Sequence, residues 1–142
     1  CQIQFDEGSF TEVLAKAKQE KRMVFMDCYT SWCGPCKMMA QEVFSREDVG
    51  QFMNTRFVNV KLDMLSEDGK QYADKYKIGA YPSFLLLNGK GELLYKFVGG
   101  KSADVFMAEI RKGMKPDNRV KSMDDTYATG KYSNDFYGST CS

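Results

Sequence analysis

The sequence predicts an α/β domain, and three stretches carry that prediction. Residues 23–29 (MVFMDCY) form an apolar run too short for a helix and nearly continuous, as expected of a central strand covered on both faces. A helical stretch separates this run from an alternating strand at 57–63 (FVNVKLD), which makes a strand, helix, strand crossover. Residues 83–87 and 93–98 flank Asn88-Gly89-Lys90-Gly91, a tight-turn sequence between apolar runs that predicts an antiparallel hairpin.

In chain order, Ser9 and Glu12 have the spacing of a capping box. Phe10, Val13, Leu14 and Ala17 then recur at i, i+3, i+4 and i+7, predicting an amphipathic helix to about Lys21. The strand at 23–29 is interrupted by Asp27, a carboxylate in an apolar run that calls for a reason. Residues 30–35 read as a small-residue turn, and from Cys36 onward Lys37, Met38, Met39, Ala40, Gln41 and Glu42 are good helix formers. Ser45 and Asp48 repeat the capping spacing before Val49, Phe52 and Met53, and the next strand sets Val58, Val60 and Leu62 on one side. Tyr72, Ala73 and Tyr76 mark a helix ended by Gly79, and Tyr81-Pro82 opens the first hairpin strand. Gly99-Gly100 stops the second one. Ser102 caps a last helix with Val105, Phe106 and Ile110 toward the core and Gly113 just past its end.

Beyond Lys115-Pro116 the composition shifts to small, polar and tyrosine residues, which divides the chain into a domain at 1–115 and an extension at 116–142. Short helices fit at 122–129 and from 133. Such a pair reads either as the start of a longer helical domain or as a tail docking Tyr127, Tyr132 and Phe136 on the main domain.

Composition narrows the chemistry. The 142 residues carry 20 Lys and Arg against 19 Asp and Glu, a formal charge of +1, which excludes the basic footprint of a nucleic-acid binder. No apolar run approaches the roughly 20 residues of a membrane span. The absence of histidine removes Ser-His and Cys-His catalytic pairs, HExxH zinc sites and histidine pH switching together. Five cysteines remain, at positions 1, 28, 33, 36 and 141. The chain starts with Cys1 rather than Met, from which a removed upstream segment, or an acylated first residue, is an expectation.

Cys33-Gly34-Pro35-Cys36 lies where a strand runs into a helix. A cysteine at a helix N-terminus meets the positive end of the macrodipole and unpaired backbone N–H groups, which lower a thiol pKa toward roughly 3.5 to 7.5. Cys33 is placed to attack. Cys36, one turn inward, is placed to close a disulfide with it while shielded from solvent. Pro35 lacks the N–H that the first helical turn would orphan, and Gly34 lets a partner approach. Half a zinc site is the competing reading of a lone CxxC, but this chain offers no histidine and no second cysteine pair, so no metal is expected. Cys28 reads as a buried, inert strand residue, with an auxiliary redox role as the lesser reading. Met23, Met26, Met38 and Met39 read as core filling.

The run Trp32-Cys33-Gly34-Pro35-Cys36-Lys37 resembles the active-site signature of the thioredoxin family, over roughly residues 5 to 113. Asp27 stands where the family places a buried carboxylate under the second cysteine, Tyr81-Pro82 where it carries a cis-proline, and Gly99 follows the hairpin as in the family. The resemblance implies a thioredoxin fold: a central mixed sheet, parallel between its first two strands and closed by the antiparallel hairpin, with helices on both faces. It further implies that Cys33 and Cys36 are catalytic, with Asp27, its pKa raised by desolvation, taking the proton of Cys36. Trp32, Gly34, Pro35, Tyr81, Pro82 and Gly99 would bind substrate, the Tyr81 backbone pairing with an extended peptide as an added strand. A family lysine on the neighbouring strand aligns with either Asn59 or Lys61.

The expected function is therefore protein-disulfide reduction by dithiol–disulfide exchange, with no cofactor besides the redox-active pair. Gly34-Pro35 supplies none of the positive charge found between the cysteines of strong oxidants, which predicts a reducing couple. Implied partners are disulfide-bonded proteins and an upstream reductase or thiol electron donor. The alternative is a binding or assembly module of a larger protein. The likeness to bacterial envelope proteins with C-terminal extensions predicts the periplasm or cell envelope, against the cytoplasm.

Overall fold

The computed structural model describes residues 2–116. Helix α1 (Phe10–Glu20) starts on the expected capping box, Ser9 Oγ accepting from Glu12 N and the Glu12 carboxylate from Ser9 N. Lys21 ends it in the left-handed conformation. Strand β1 (Met23–Tyr29) follows, then α2 (Gly34–Met38), a π-helical turn (Met39–Val43), α3 (Glu47–Arg56) and β2 (Phe57–Asp63). Helix α4 (Glu67–Tyr76), strands β3 (Ser83–Leu87) and β4 (Leu93–Val98), and α5 (Ala103–Met114) complete the order.

The sheet runs β2-β1-β3-β4. β1 and β2 are parallel in register Met23↔Phe57 through Tyr29↔Asp63, and β3 is antiparallel to both β1 and β4. The apolar β1 is thus central, as its near-continuous burial requires. Its alternating side chains serve two cores. Met23 and Phe25 face a layer built with Met39, Val43 and Phe44 of the helix after the cysteines, Val49 and Met53 of α3, and Phe106 and Ile110 of α5. Val24, Met26 and Cys28 face Val13 and Ala17 of α1 and Tyr76 of α4. Phe25 anchors the first layer, stacked on Phe84 and edge-on to Phe44, Phe57 and Phe106, so large aromatic area is buried on that side.

Several local expectations shift. The helix begins at Gly34 instead of Cys36 and passes into the π turn, in which Phe44 N–H reaches back to Met39 O at 2.8 Å. That wider turn brings Met39 and Phe44 round to the same buried side, which an α-helical spacing of five would not. No capping box forms at Ser45: its hydroxyl donates to Gln41 O, while Asp48 accepts from Val49 N and the Arg46 guanidinium one position inside α3. α4 stops at Lys77 in the left-handed conformation, ahead of Gly79. Gly113 lies inside α5, where a Cβ would come within 2.7 Å of Leu86 and Tyr95 side-chain carbons; close packing, not helix termination, demands glycine there. Val105 is exposed, because α5 turns Phe106, Ile110 and Gly113 inward. The expected helices at 122–129 and from 133, together with Cys1 and Cys141, lie outside the described residues. No helix among the described residues is long and apolar enough to cross a membrane.

Candidate active site

Cys33 ends the loop after β1 and is the N-cap of α2, with extended backbone angles and its Sγ accepting the Cys36 N–H at 3.1 Å. This is the geometry that favours a thiolate: a backbone donor of the first turn aimed at sulfur, at the positive end of the helix. Cys33 and Cys36 form a disulfide, their Cα atoms 5.2 Å apart. Pro35 sits in the first turn, where a missing N–H costs nothing. A Cβ on Gly34 would meet nothing within 4 Å, so the space over the disulfide is open on that side.

Cys36 is shielded from solvent as expected, and Cys33 is shielded as well. Cys33 is 4% exposed and Cys36 9%. The reason is the N-cap role: the Cys33 side chain folds back over the first turn instead of projecting outward. The asymmetry between them is one of hydrogen bonding and helix position.

Asp27 is buried in β1, and its Oδ1 has no hydrogen-bond partner. Desolvation raises its pKa to about 7, and the charge of Lys61 opposes the rise. The choice between Asn59 and Lys61 is settled by register: Lys61 stands opposite Asp27 across the parallel pair. Asn59 is committed elsewhere, donating to Met53 O and Asn54 Oδ1. Lys61 itself lies over the rings of Tyr29 and Phe5, at 4.8 and 5.3 Å. Asp27, Cys36, Lys61, Tyr29 and Thr30 line one cavity of about 190 Å³. A carboxyl that titrates near neutrality beside the inner cysteine suits a proton acceptor for that thiol. Thr30 is absent from the residues that the sequence singled out, because a threonine in a turn carries no signal until its burial is known.

The outer rim is assembled from distant loops. Trp32 is 66% exposed, its ring edge-on to Tyr81 at 6.1 Å. The Tyr81–Pro82 peptide is cis, and Pro82 O accepts Gly99 N–H at 2.8 Å. Gly99 holds φ of 99°, which glycine adopts without strain. Gly100 packs against Pro35, bringing the end of β4 to the start of α2. Cys28 lies apart on the opposite face of β1, fully buried, its thiol pKa pushed up by desolvation and by the Asp27 charge. Among the described residues no group of three or more His, Cys, Asp or Glu is placed to hold a metal ion.

A model of the thioredoxin-like domain matches residues 10–113. A thioredoxin H-type protein of Oryza sativa subsp. indica is 34% identical over 100 residues, covering 70% of this chain and 76% of that one. The solution structure of a candidate disulphide-isomerase from Bacteroides thetaiotaomicron is 39% identical with a TM-score of 0.73, covering 79% of this chain and 93% of that chain. The protein disulfide isomerase-like 1-2 of Oryza sativa subsp. japonica is 26% identical over 114 residues, 80% of this chain but 21% of that protein. The chain thus spans about a fifth of that isomerase's length.

Proposed function

Since the chain belongs to the thioredoxin-like family, we propose that it is a thiol–disulfide oxidoreductase working as a protein-disulfide reductase. The observation that carries the proposal is the Cys33–Cys36 disulfide at the start of α2, with Asp27 on the cavity behind Cys36. Reduced Cys33 attacks a substrate disulfide and a mixed disulfide forms. Asp27 takes the proton of Cys36, whose thiolate attacks Cys33 Sγ and releases the reduced substrate. The redox group is the cysteine pair itself. Substrate lies across Trp32, Gly34, Pro35, Tyr81, Pro82 and Gly99, where an extended peptide can pair with the Tyr81 backbone. Gly34-Pro35 puts no charge between the sulfurs, which supports a reducing couple re-reduced by an upstream reductase or thiol donor.

Reduction of insulin disulfides driven by dithiothreitol tests the assignment: Cys33→Ser should abolish it, and retained activity would refute it. Equilibration in glutathione buffers, with mass-spectrometric readout of the Cys33–Cys36 bond, separates reductant from oxidant. A cell-envelope location is part of the same proposal, supported by the likeness to envelope thioredoxin-like proteins, and fractionation of the native host tests it.

A further inference from the structure

Four buried side-chain atoms among the described residues have no hydrogen-bond partner: Arg22 Nε, Asn59 Oδ1, Asp27 Oδ1 and Thr30 Oγ1. Arg22 and Asn59 line a separate cavity of about 310 Å³ that also touches the N-terminal segment. Asp27 and Thr30 line the cavity beside Cys36. Thr30 is 1% exposed, and its carbonyl accepts the Cys33 N–H at 3.4 Å, so the residue links the end of β1 to the catalytic turn. Burying a hydroxyl without a partner costs about 1–3 kcal/mol, a penalty that valine of nearly the same shape would not carry. A hydroxyl can donate one hydrogen bond and accept others at once. A cavity of this size has room for water, which needs two to four polar partners. Asp27, Thr30 and Cys36 supply three.

We propose that Thr30 is a positioning residue for proton transfer between Cys36 and Asp27: its hydroxyl and the Asp27 carboxyl together hold a water molecule in the cavity, and this water carries the proton. The inference rests on the thiol–disulfide reading above. With substrate bonded to Cys33, the Cys36 S–H proton passes to the water as the water gives one of its own to the Asp27 carboxylate. The Cys36 thiolate then attacks Cys33 Sγ. The Cys33–Cys36 bond forms as the bond from Cys33 to substrate breaks, and the substrate sulfur leaves with the electron pair and takes a proton from solvent. The dithiol supplies both electrons, so no further reductant enters.

The groups facing Asp27 are Lys61 from β2, Cys36 and Lys37 from α2, and Tyr29 from its own strand, while Cys28 lies on the strand's other face and is coupled to Asp27 only through charge. β3 presents Phe84 opposite it, and the Lys96 charge from β4 acts on neighbouring Cys28. Thr30 carries a neutral hydroxyl, so removing it changes no charge.

Stopped-flow reaction of the reduced protein with 5,5′-dithiobis(2-nitrobenzoate) separates the steps. The first release of thionitrobenzoate depends on reagent concentration, and the second, made by Cys36, does not. Thr30→Val should leave the first release unchanged, slow the second about tenfold, as loss of one hydrogen bond to a charged group would, and move its pH midpoint upward. Thr30→Ser should restore both. In an Asp27→Asn background Thr30→Val should have no further effect. The inference is overturned if Thr30→Val leaves the second release and its pH profile unchanged, slows it equally in the Asp27→Asn background, or is not rescued by serine. Should Thr30→Val fail to fold, Thr30→Ala removes the same hydroxyl and is read by the same criteria. A wild-type protein showing no concentration-independent release instead overturns the thiol–disulfide reading itself.

Discussion

Cys28 and Cys33 stand five positions apart in one segment, both are nearly inaccessible, and their environments drive them to opposite chemistry. Cys28 sits within a strand paired on both sides, among Val13, Met26, Ile78 and Leu85, where ionisation is opposed by desolvation and by Asp27. Cys33 sits just past the strand end, where the backbone turns into a helix and points a free N–H at its sulfur. Solvent exposure does not separate them. The direction of nearby backbone dipoles does, because a thiolate needs a donor or positive potential to replace the water it loses.

The largest test of this contrast is covalent. Cys36→Ser should trap a stable mixed disulfide on Cys33 with a disulfide substrate and bring turnover down to background, while Cys28→Ala should turn over at close to the wild-type rate. Intact-mass measurement and the insulin assay read both. Next, iodoacetamide at pH 7 should alkylate Cys33 of the reduced protein at least about 100-fold faster than Cys28, as expected from their thiolate fractions. Comparable rates in peptide mapping would break the comparison.

Asp27 sharpens it from the proton side. Its pKa is near 3.8 when unfolded and about 7 when folded, so between those values the native state binds more protons than the unfolded state. The contribution is therefore fully present below about pH 4 and is lost as pH rises through 7. Asp27→Asn should flatten that decline and raise stability at pH 8 by on the order of 4 kcal/mol, at roughly 1.4 kcal/mol per pKa unit, while slowing the Cys36 step. Urea unfolding at several pH values measures it, and an unchanged slope would remove Asp27 from the account. The smallest effect belongs to packing: Cys28→Ala should cost about 1–2 kcal/mol of unfolding free energy, from a small cavity in the layer between the sheet and α1.

Local rules read well wherever the deciding contacts are local. The capping boxes or caps at Ser9 and Ser102, the apolar β1, the hairpin around Asn88 and the Cys33 N-cap all depend on residues within a few positions of each other. They failed at Ser45, Gly79, Val105 and Gly113, where a neighbouring turn or a facing sheet overrode a plausible local signal. Cys33, Cys36 and Asp27 were legible because a motif and an out-of-place carboxylate stand out in the chain. Thr30 was silent, since a buried hydroxyl differs from an exposed one only through its surroundings.

The sequence by itself determined the α/β order, the strand-to-helix junction carrying the two cysteines and the want of any histidine to assist them. Tertiary structure decided which side chain of β2 faces Asp27, because parallel register is set by whole layers burying their apolar faces. It also brought Trp32, Tyr81, Pro82, Gly99 and Gly100 around one disulfide, through a sheet that joins segments far apart in the chain. The cavity behind Cys36, with its unpaired oxygens, exists only once β1, β2 and α2 have met.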